Sequence, residues 1–243
     1  MKNKFFKLKV LIFLIISFNY TNALLSKEVN FKAIEILTYE EGNIIVGKKE
    51  VEAKIENEVE IFADKITYNK KEEKIIAEGN VKSIDLINEI EIKSKKAIFY
   101  KNKNQIITTG ETFFKINKDY NGQSSDVHFY INEKIIFSEK LTSFKDNLNN
   151  LIQVQSFRYS NTSQVIKAND IKLTDNKKNK YFLKKGFLKT NENILIGKDI
   201  KINLRNDTFG QLDNNPKLKG NSVIYENDKT LIKKGIFTSC KDN

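Results

Sequence analysis

The sequence predicts an all-β chain, a stack of two-sheet rungs around an apolar trough, and three observations carry that expectation. Short runs rich in Ile, Val, Phe, Tyr and Thr alternate with polar turns such as "NKKEEK" after Tyr68, "KNKNQ" after Tyr100, "DNKKNK" after Thr174 and "ENDKT" after Tyr225. Beyond the N-terminal segment, no stretch places apolar residues cleanly at i, i+3, i+4 and i+7 over three turns, so amphipathic helices are not expected. Finally, one hairpin is spelled three times: "YNKKEEKIIAEGNV" from Tyr68, "FYKNKNQIITTGET" from Phe99 and "IYENDKTLIKKGIF" from Ile224.

The first element is a targeting segment. Lys2, Lys4, Lys7 and Lys9 precede the apolar run Val10 to Phe18, and Thr21-Asn22-Ala23 closes it with small or polar residues. This order predicts an export signal over residues 1–23, cleaved after Ala23. An uncleaved anchor is the alternative, and it would need about 20 apolar residues. No cysteine follows the apolar run, which argues against lipid modification.

Residues 24–243 then form the β domain, as one unit or as two repeat sets at about 28–145 and 150–240. Tyr39, Tyr68, Tyr100 and Tyr130 recur at steps of 29, 32 and 30 residues, and Gly47, Gly79 and Gly110 follow the first three. The pattern returns after Asn150 as "KANDIKL", "IGKDIKI" and "KGNSVIY". Periods of this size indicate stacked units, each burying its apolar face only against its neighbours. Residues after the glycines continue as strand, so each glycine is expected at a corner where the chain passes from one sheet to the other; a plain hairpin turn is the alternative. Asp146 to Val154 is the one ambiguous stretch, either a helical turn or an irregular link.

Period-two alternation assigns the faces. Phe62, Ile66 and Tyr68 share one parity, Ile92, Ile98 and Tyr100 repeat it, and Ile75, Ala77 and Val81 share another across the turn. The inward set would line an apolar trough. Whether that trough is a sealed sandwich core or open enough for lipid chains is not decided by the pattern.

Charge and chemistry exclude several classes. The formal net charge is +11, but Lys and Glu are interspersed and no basic-aromatic recognition module occurs, so nucleic acid is not expected as a partner. His128 is the only histidine and lies in a strand-like run; no phosphate-binding loop, HExxH or CxxC appears. No enzyme activity, metal or cofactor is expected. Asp64 and Asp170 fall at equivalent places in the repeat, which suggests a structural turn contact. Cys240 is the only cysteine, so no disulfide can close within the chain, and it is either a free thiol or paired externally.

The stretch "IFADKITYNKKEEKIIAEGNV" resembles the repeat of the OstA-like family of lipopolysaccharide transport proteins. Ala63, Asp64, Tyr68, Gly79, Asn80 and Val81 match the motif position by position, whereas in the second copy Ser94-Lys95 replaces Ala-Asp and Glu111-Thr112 replaces Asn-Val. The ending "LIKKGIFTSCKDN" is similar to the junction that closes the periplasmic N-terminal domain of the LptD family. The resemblance implies a twisted β-jellyroll in the periplasm, associated with the outer membrane, that passes lipopolysaccharide toward the outer-membrane translocon. It implies acyl-chain contacts at the inward residues Phe62, Ile66, Tyr68, Ile92, Ile98 and Tyr100. It also implies edge-strand addition to an LptA-like bridge protein, an outer-membrane barrel with its plug lipoprotein as further partners, and an intermolecular disulfide at Cys240. Family members of that kind continue into a transmembrane barrel, and the sequence given holds no such strands. A stand-alone carrier of the LptA or LptC kind, or an adhesive β-repeat protein with a sealed core, are the alternative readings.

Overall fold

The computed structural model describes residues 29–55, 59–116, 120–192, 194–209, 216–226 and 229–239. The expected signal segment and Cys240 lie outside them. The described chain is all-β and every strand pair is antiparallel. In order the strands are β1 (Val29–Lys32), β2 (Glu35–Tyr39), β3 (Ile44–Ile55), β4 (Val59–Asn69), β5 (Lys74–Asp85), β6 (Ile90–Tyr100), β7 (Gln105–Thr108), β8 (Glu111–Ile116), β9 (Tyr120–Ser125) and β10 (His128–Tyr130). They continue with β11 (Ile135–Ser138), β12 (Thr142–Lys145), β13 (Leu151–Val154), β14 (Ser156–Ser160), β15 (Val165–Thr174), β16 (Lys180–Lys189), β17 (Ile194–Asn203), β18 (Lys217–Glu226), β19 (Lys229–Lys233) and β20 (Ile236–Thr238). Helix is confined to single 3₁₀ turns at Glu40–Gly42, Lys101–Lys103 and Asn206–Phe209.

The long strands bend midway, and their halves join two different ladders. One arm runs from β2 through halves of β3 to β6, then β7, β10, β11 and β14, then halves of β15 to β18, to β19. The other runs from β1 through the remaining halves of β3 to β6, then β8, β9, β12 and β13, then the remaining halves of β15 to β18, to β20. We refer to these as the first and second arm. They meet at the line of bends, and the apolar core lies between them. The ambiguous stretch after Asp146 is the β12–β13 hairpin, closed by an Asp146–Asn150 turn and containing no helix.

The bends of β3 to β6 are β-bulges with a recognisable chemistry, whereas β15 to β18 keep register across theirs. The register slips between Phe62 and Lys65 on β4 and between Glu78 and Val81 on β5. Gly79 and Asn80 take left-handed φ values of 75° and 45° there. Asp64 folds over Gly79, where a Cβ would strike its carboxylate, and accepts a hydrogen bond from the Asn80 side chain at 3.0 Å. Ala63 and Val81 are buried beside it. The Ala-Asp and Gly-Asn-Val motifs are thus the two sides of one corner clasp. A related clasp recurs where Gly110, with φ 76°, donates its N–H to the Asp126 carboxylate at 3.0 Å. On β15, Asp170 is left-handed and accepts from Lys184 of β16 at 2.7 Å, a bend contact different in partner and backbone from that of Asp64. Left-handed residues also mark the bends at Asp199 and at Lys234, just before Gly235. Gly47 departs from the expectation: its backbone is not left-handed, it lies within β3 against the Phe31 ring, and the β3 bend falls at Lys49–Glu50.

The bends reverse the inward parity. On β4, Val59, Ile61 and Ala63 face the core before the bend and Ile66 and Tyr68 after it. On β6 the inward residues are Ile90 and Ile92, then Ala97 and Phe99. Because side chains alternate with period two, one bulged residue moves all later ones to the other face.

The middle of the stack handles the bend differently. There the strands break, from β7/β8 to β13/β14, and buried hydroxyls occupy the gap. Thr112 donates to Thr108 at 2.7 Å, the Val127 N–H donates to Thr108 at 2.9 Å, Ser124 and Thr142 hydroxyls lie 2.7 Å apart, and Ser138 donates to the Ser125 carbonyl at 2.8 Å. These bonds satisfy backbone and side-chain groups that no ladder reaches.

The Gly79 corner supplies a direct stability test. Gly79→Val should lower stability by at least about 1–3 kcal/mol, since a branched residue is strained at positive φ and also meets Asp64. Urea unfolding of the variant, with Gly42→Ala as a reference at a positive-φ site where nothing lies near the added Cβ, checks this. A loss no larger than that of the reference would contradict the clasp.

Candidate functional site

The space between the arms is closed along the first half of the stack. Phe99, Phe129, Ile136 and Tyr159 from the first arm and Ile90, Ile92 and Ile116 from the second are all buried. The closed part ends at an aromatic plug. Phe157 of the first arm stacks on Phe114 with centroids 5.1 Å apart and meets Phe144 edge-on at 5.0 Å, both from the second arm. Gly122 makes this possible, because a Cβ there would run into the Phe114 ring.

A polar latch crosses between hairpin tips of the two arms. Asn88, in the β5–β6 turn of the second arm, accepts from the Asn161 side chain in the β14–β15 turn of the first arm at 3.2 Å. Asn88 is itself held by Asp85 through bonds of 2.8 and 2.6 Å. Asn161 accepts from Tyr159 at 2.9 Å, and Gln164 donates to the Asn161 carbonyl at 2.7 Å. A hydrogen-bonded network of this kind rigidifies the contact between the two arms.

Past the plug the arms part. A cavity of about 470 Å³ opens between β12–β13 and β15–β18, walled by Phe144, Ile152, Ile166, Ile171, Leu173, Tyr181, Leu183, Leu188, Leu195, Ile200, Ile202 and Tyr225. That size lies within the roughly 300–1,000 Å³ of ligand sites. Small residues create it. Ala168, Gly186, Gly197 and Val223 form one inward row across four strands. Ile171 lies back over Gly186 and Leu183 over Gly197, in places a Cβ would fill. The long side chains therefore flatten against the sheets and leave the middle open.

The rim is built from a repeated turn, Asp-Asn-x-x-Asn. In 146–150 and in 175–179 the aspartate carboxylate accepts from the final Asn backbone at 2.8 Å in both turns and from its side-chain amide at 2.6 and 2.8 Å. Each final Asn then accepts the backbone N–H of the next rung at 3.0 Å, Asn150 from Asn176 and Asn179 from Arg205. Leu148 stands exposed at one tip and Lys177 at the next, both on the cavity margin. Tyr181 donates to Asp175 at 3.0 Å. Burial, and then the negative charge of Asp175, push its phenol up to about 12.

The six residues expected at the inner face divide. Ile66 and Ile92 are in the core and Tyr68 packs against it, whereas Phe62, Ile98 and Tyr100 fall on the outer side because a bend lies between the halves of β4 and of β6. Tyr100 instead lies under Lys74 and Lys103, 5.9 and 5.6 Å from its ring centre, and Lys101 donates to the Tyr68 hydroxyl at 3.2 Å. None of the six borders the open cavity, whose walls come from the second half of the stack. The signals for it were the inward small residues and the twice-written Asp-Asn-x-x-Asn. His128 sits on the outer face, stacked on Phe137 at 4.9 Å, with its Nδ1 3.3 Å from the Gln105 amide. Among the described residues no cluster of three His, Cys, Asp or Glu side chains could hold a metal.

No family model and no curated protein matches the chain. Among solved structures it is similar to LptH, the LptA-homologous periplasmic component of the lipopolysaccharide transport device of Pseudomonas aeruginosa, at 7% identity with a TM-score of 0.39, over 43% of this chain and 76% of that one.

The Tyr181 phenol gives a pH prediction with a definite sign. Unfolded tyrosine ionises near pH 10, and the folded group near 12. The folded state binds the extra proton between these values, so stability is intact below about pH 10 and falls as pH rises toward 12. Tyr181→Phe should flatten that decline when unfolding midpoints are followed across this range. Parallel curves for both proteins would show that Tyr181 contributes nothing to it.

Proposed function

We propose that this chain is a non-catalytic lipopolysaccharide-handling module of the periplasm, holding acyl chains in the trough between its arms. The observation that carries the reading is the open apolar cavity in a two-armed stack whose corners bear the OstA-like Ala-Asp and Gly-Asn-Val residues. Burial of acyl chain contributes about 0.8 kcal/mol per CH₂, so a dry, wide groove retains lipid without specific polar contacts. Lys177 and the Asn-rich turns on the margin suit a polar headgroup left in water. A sealed adhesive repeat would need no such opening, although the tightly packed first half is what that alternative would show throughout.

The ends of the stack suit transfer. β1 and β2 at one end, and β19 and β20 at the other, are each paired on one side only among the described residues. Open edges invite strand addition, and a like-folded, LptA-like bridge protein would extend both arms and the trough together. Association with an outer-membrane barrel and its plug lipoprotein, as in the LptD family, and a disulfide from Cys240 to such a partner, are the finer form of this proposal.

Photo-crosslinkers at Ile152, Leu173 and Leu195 should capture lipopolysaccharide, and those at the turn residues Lys70 and Lys103 should not. Ala168→Phe, which fills the trough, should abolish capture while the circular dichroism stays unchanged. Equal capture at wall and turn positions would mean surface adhesion and would overturn the trough as the site.

A further inference from the structure

Charge is divided unequally along the stack. Residues 29–150 carry 19 Lys and Arg against 21 Asp and Glu, whereas residues 151–243 carry 18 against 9. In the first half the lysines of the outer faces are answered by carboxylates. Glu78 lies between Lys96 at 3.0 Å and Lys65 at 3.2 Å, Glu91 between Lys93 at 2.8 Å and Lys82 at 3.5 Å, and Lys54 reaches Glu60 at 2.6 Å. The lysines beside Glu78, Lys96 foremost, hold its carboxyl below the usual range.

In the second half Lys184 is answered by Asp170 at the bend, but several other strand lysines have no such partner among the described residues. On the outer side of the first arm, Lys185, Lys198, Ser222 and Lys233 form one register row across β16 to β19. Two residues along, and so on the same face, Phe187, Ile196, Ile224 and Leu231 form the next row. Phe187 is 44% exposed, Ile196 41% and Leu231 55%. Lys167 flanks the row, with its ammonium 5.6 Å from the Phe187 ring centre. Among the described residues, Lys167, Lys185, Lys198 and Lys233 make no ion pair. Like charges directly opposite on neighbouring strands are unfavourable. In the first half the facing pair Lys82 and Lys93 is bridged by Glu91, but the facing pair Lys185 and Lys198 has no such bridge.

We propose that this outer face, from β16 to β19, docks on a lipid surface bearing anionic headgroups. Phe187, Ile196 and Leu231 enter the interfacial region, and Lys185, Lys198 and Lys233 meet the phosphates. Charge complementarity selects the occupant: a contiguous exposed apolar row beside an uncompensated cationic row matches a negatively charged leaflet, where both kinds of contact act at once. A protein partner would need matched hydrogen bonding from a face that offers the described outer rows chiefly lysine and aliphatic carbon. The opposite outer face carries a comparable row, Lys172, Phe182, Lys201 and Lys219, but its aromatic residue is half-buried. The inference does not rest on lipid in the trough, because the docking face points away from it.

The test uses the whole protein with vesicles of phosphatidylcholine alone or mixed with phosphatidylglycerol. Binding is expected only to the anionic vesicles, lost at high salt and not competed by inorganic phosphate at matched ionic strength. Replacing Lys185, Lys198 and Lys233 together by Gln should weaken it about a hundredfold, the factor three lysines carry at an anionic leaflet. Replacing Lys172, Lys201 and Lys219 by Gln should change it no more than a few-fold, and Phe187→Ala with Leu231→Ala should also weaken it. Ala168→Phe should leave it intact, separating docking from trough occupancy. Equal loss in the two lysine triples would reduce the effect to net charge and overturn the assignment, as would absence of anionic vesicle binding.

Discussion

The fold depends on turning a strand from one arm to the other without abandoning its backbone hydrogen bonds. A straight sheet cannot form the walls of a trough, and an unpaired buried amide is costly. This chain resolves the conflict in two ways. Where strands run through the bend, β3 to β6 slip out of register and β15 to β18 pass it in register, and a side-chain contact such as Asp64 over Gly79, or Asp170 with Lys184, lies at the corner. Where strands break, Thr108, Thr112, Ser124, Ser138 and Thr142 bring hydroxyls into the gap. The first solution keeps both arms on the same strand; the second allows the inner line of bends to be filled with small polar groups.

The trough opens only past the middle of the stack. In the middle, aromatic residues from both arms reach across, and the Phe114–Phe144–Phe157 plug with the Asn88–Asn161 latch draws the arms together. Beyond it, β15 to β18 each pair along both arms through the bend. β3 to β6 do the same around a filled interior, so the difference lies in the inward side chains. The inward row of Ala168, Gly186, Gly197 and Val223 then leaves a cavity instead of causing collapse.

Much of this was legible in the sequence. The β content, the stacked period, and the glycine corners at Gly79 and Gly110 followed from turn chemistry and spacing. Asp64 and Asp170 were expected as turn contacts because they recur in the repeat. The faces were less legible. Phe62, Ile98 and Tyr100 were grouped with Ile66, Tyr68 and Ile92 by simple alternation, and a bulge between the halves of a strand breaks that count without leaving a pause in the apolar pattern. Gly47 shows the converse: it looked like the other corner residues, yet packing against Phe31 explains it and the bend lies beyond it. The position of the cavity was not legible, since it depends on which small residues fall opposite one another across four strands.

The division of charge follows the same boundary as the division of packing. The closed half balances its lysines with carboxylates across neighbouring strands, so its outer faces are electrically quiet and its interior is full. The open half places carboxylates at corners and turns, where Asp170 and Asp175 hold side chains and backbone. Its strand faces are left cationic outside and loosely filled inside. Structural demand explains Asp170 and Asp175, because one sits at a bend and the other closes a hairpin. It does not explain Lys185 facing Lys198 with no bridging carboxylate between them. A sheet held by its own ladder tolerates such a pair at modest cost, and that tolerance leaves the outer surface available to a negatively charged partner in the same half of the molecule that has room inside for an apolar one.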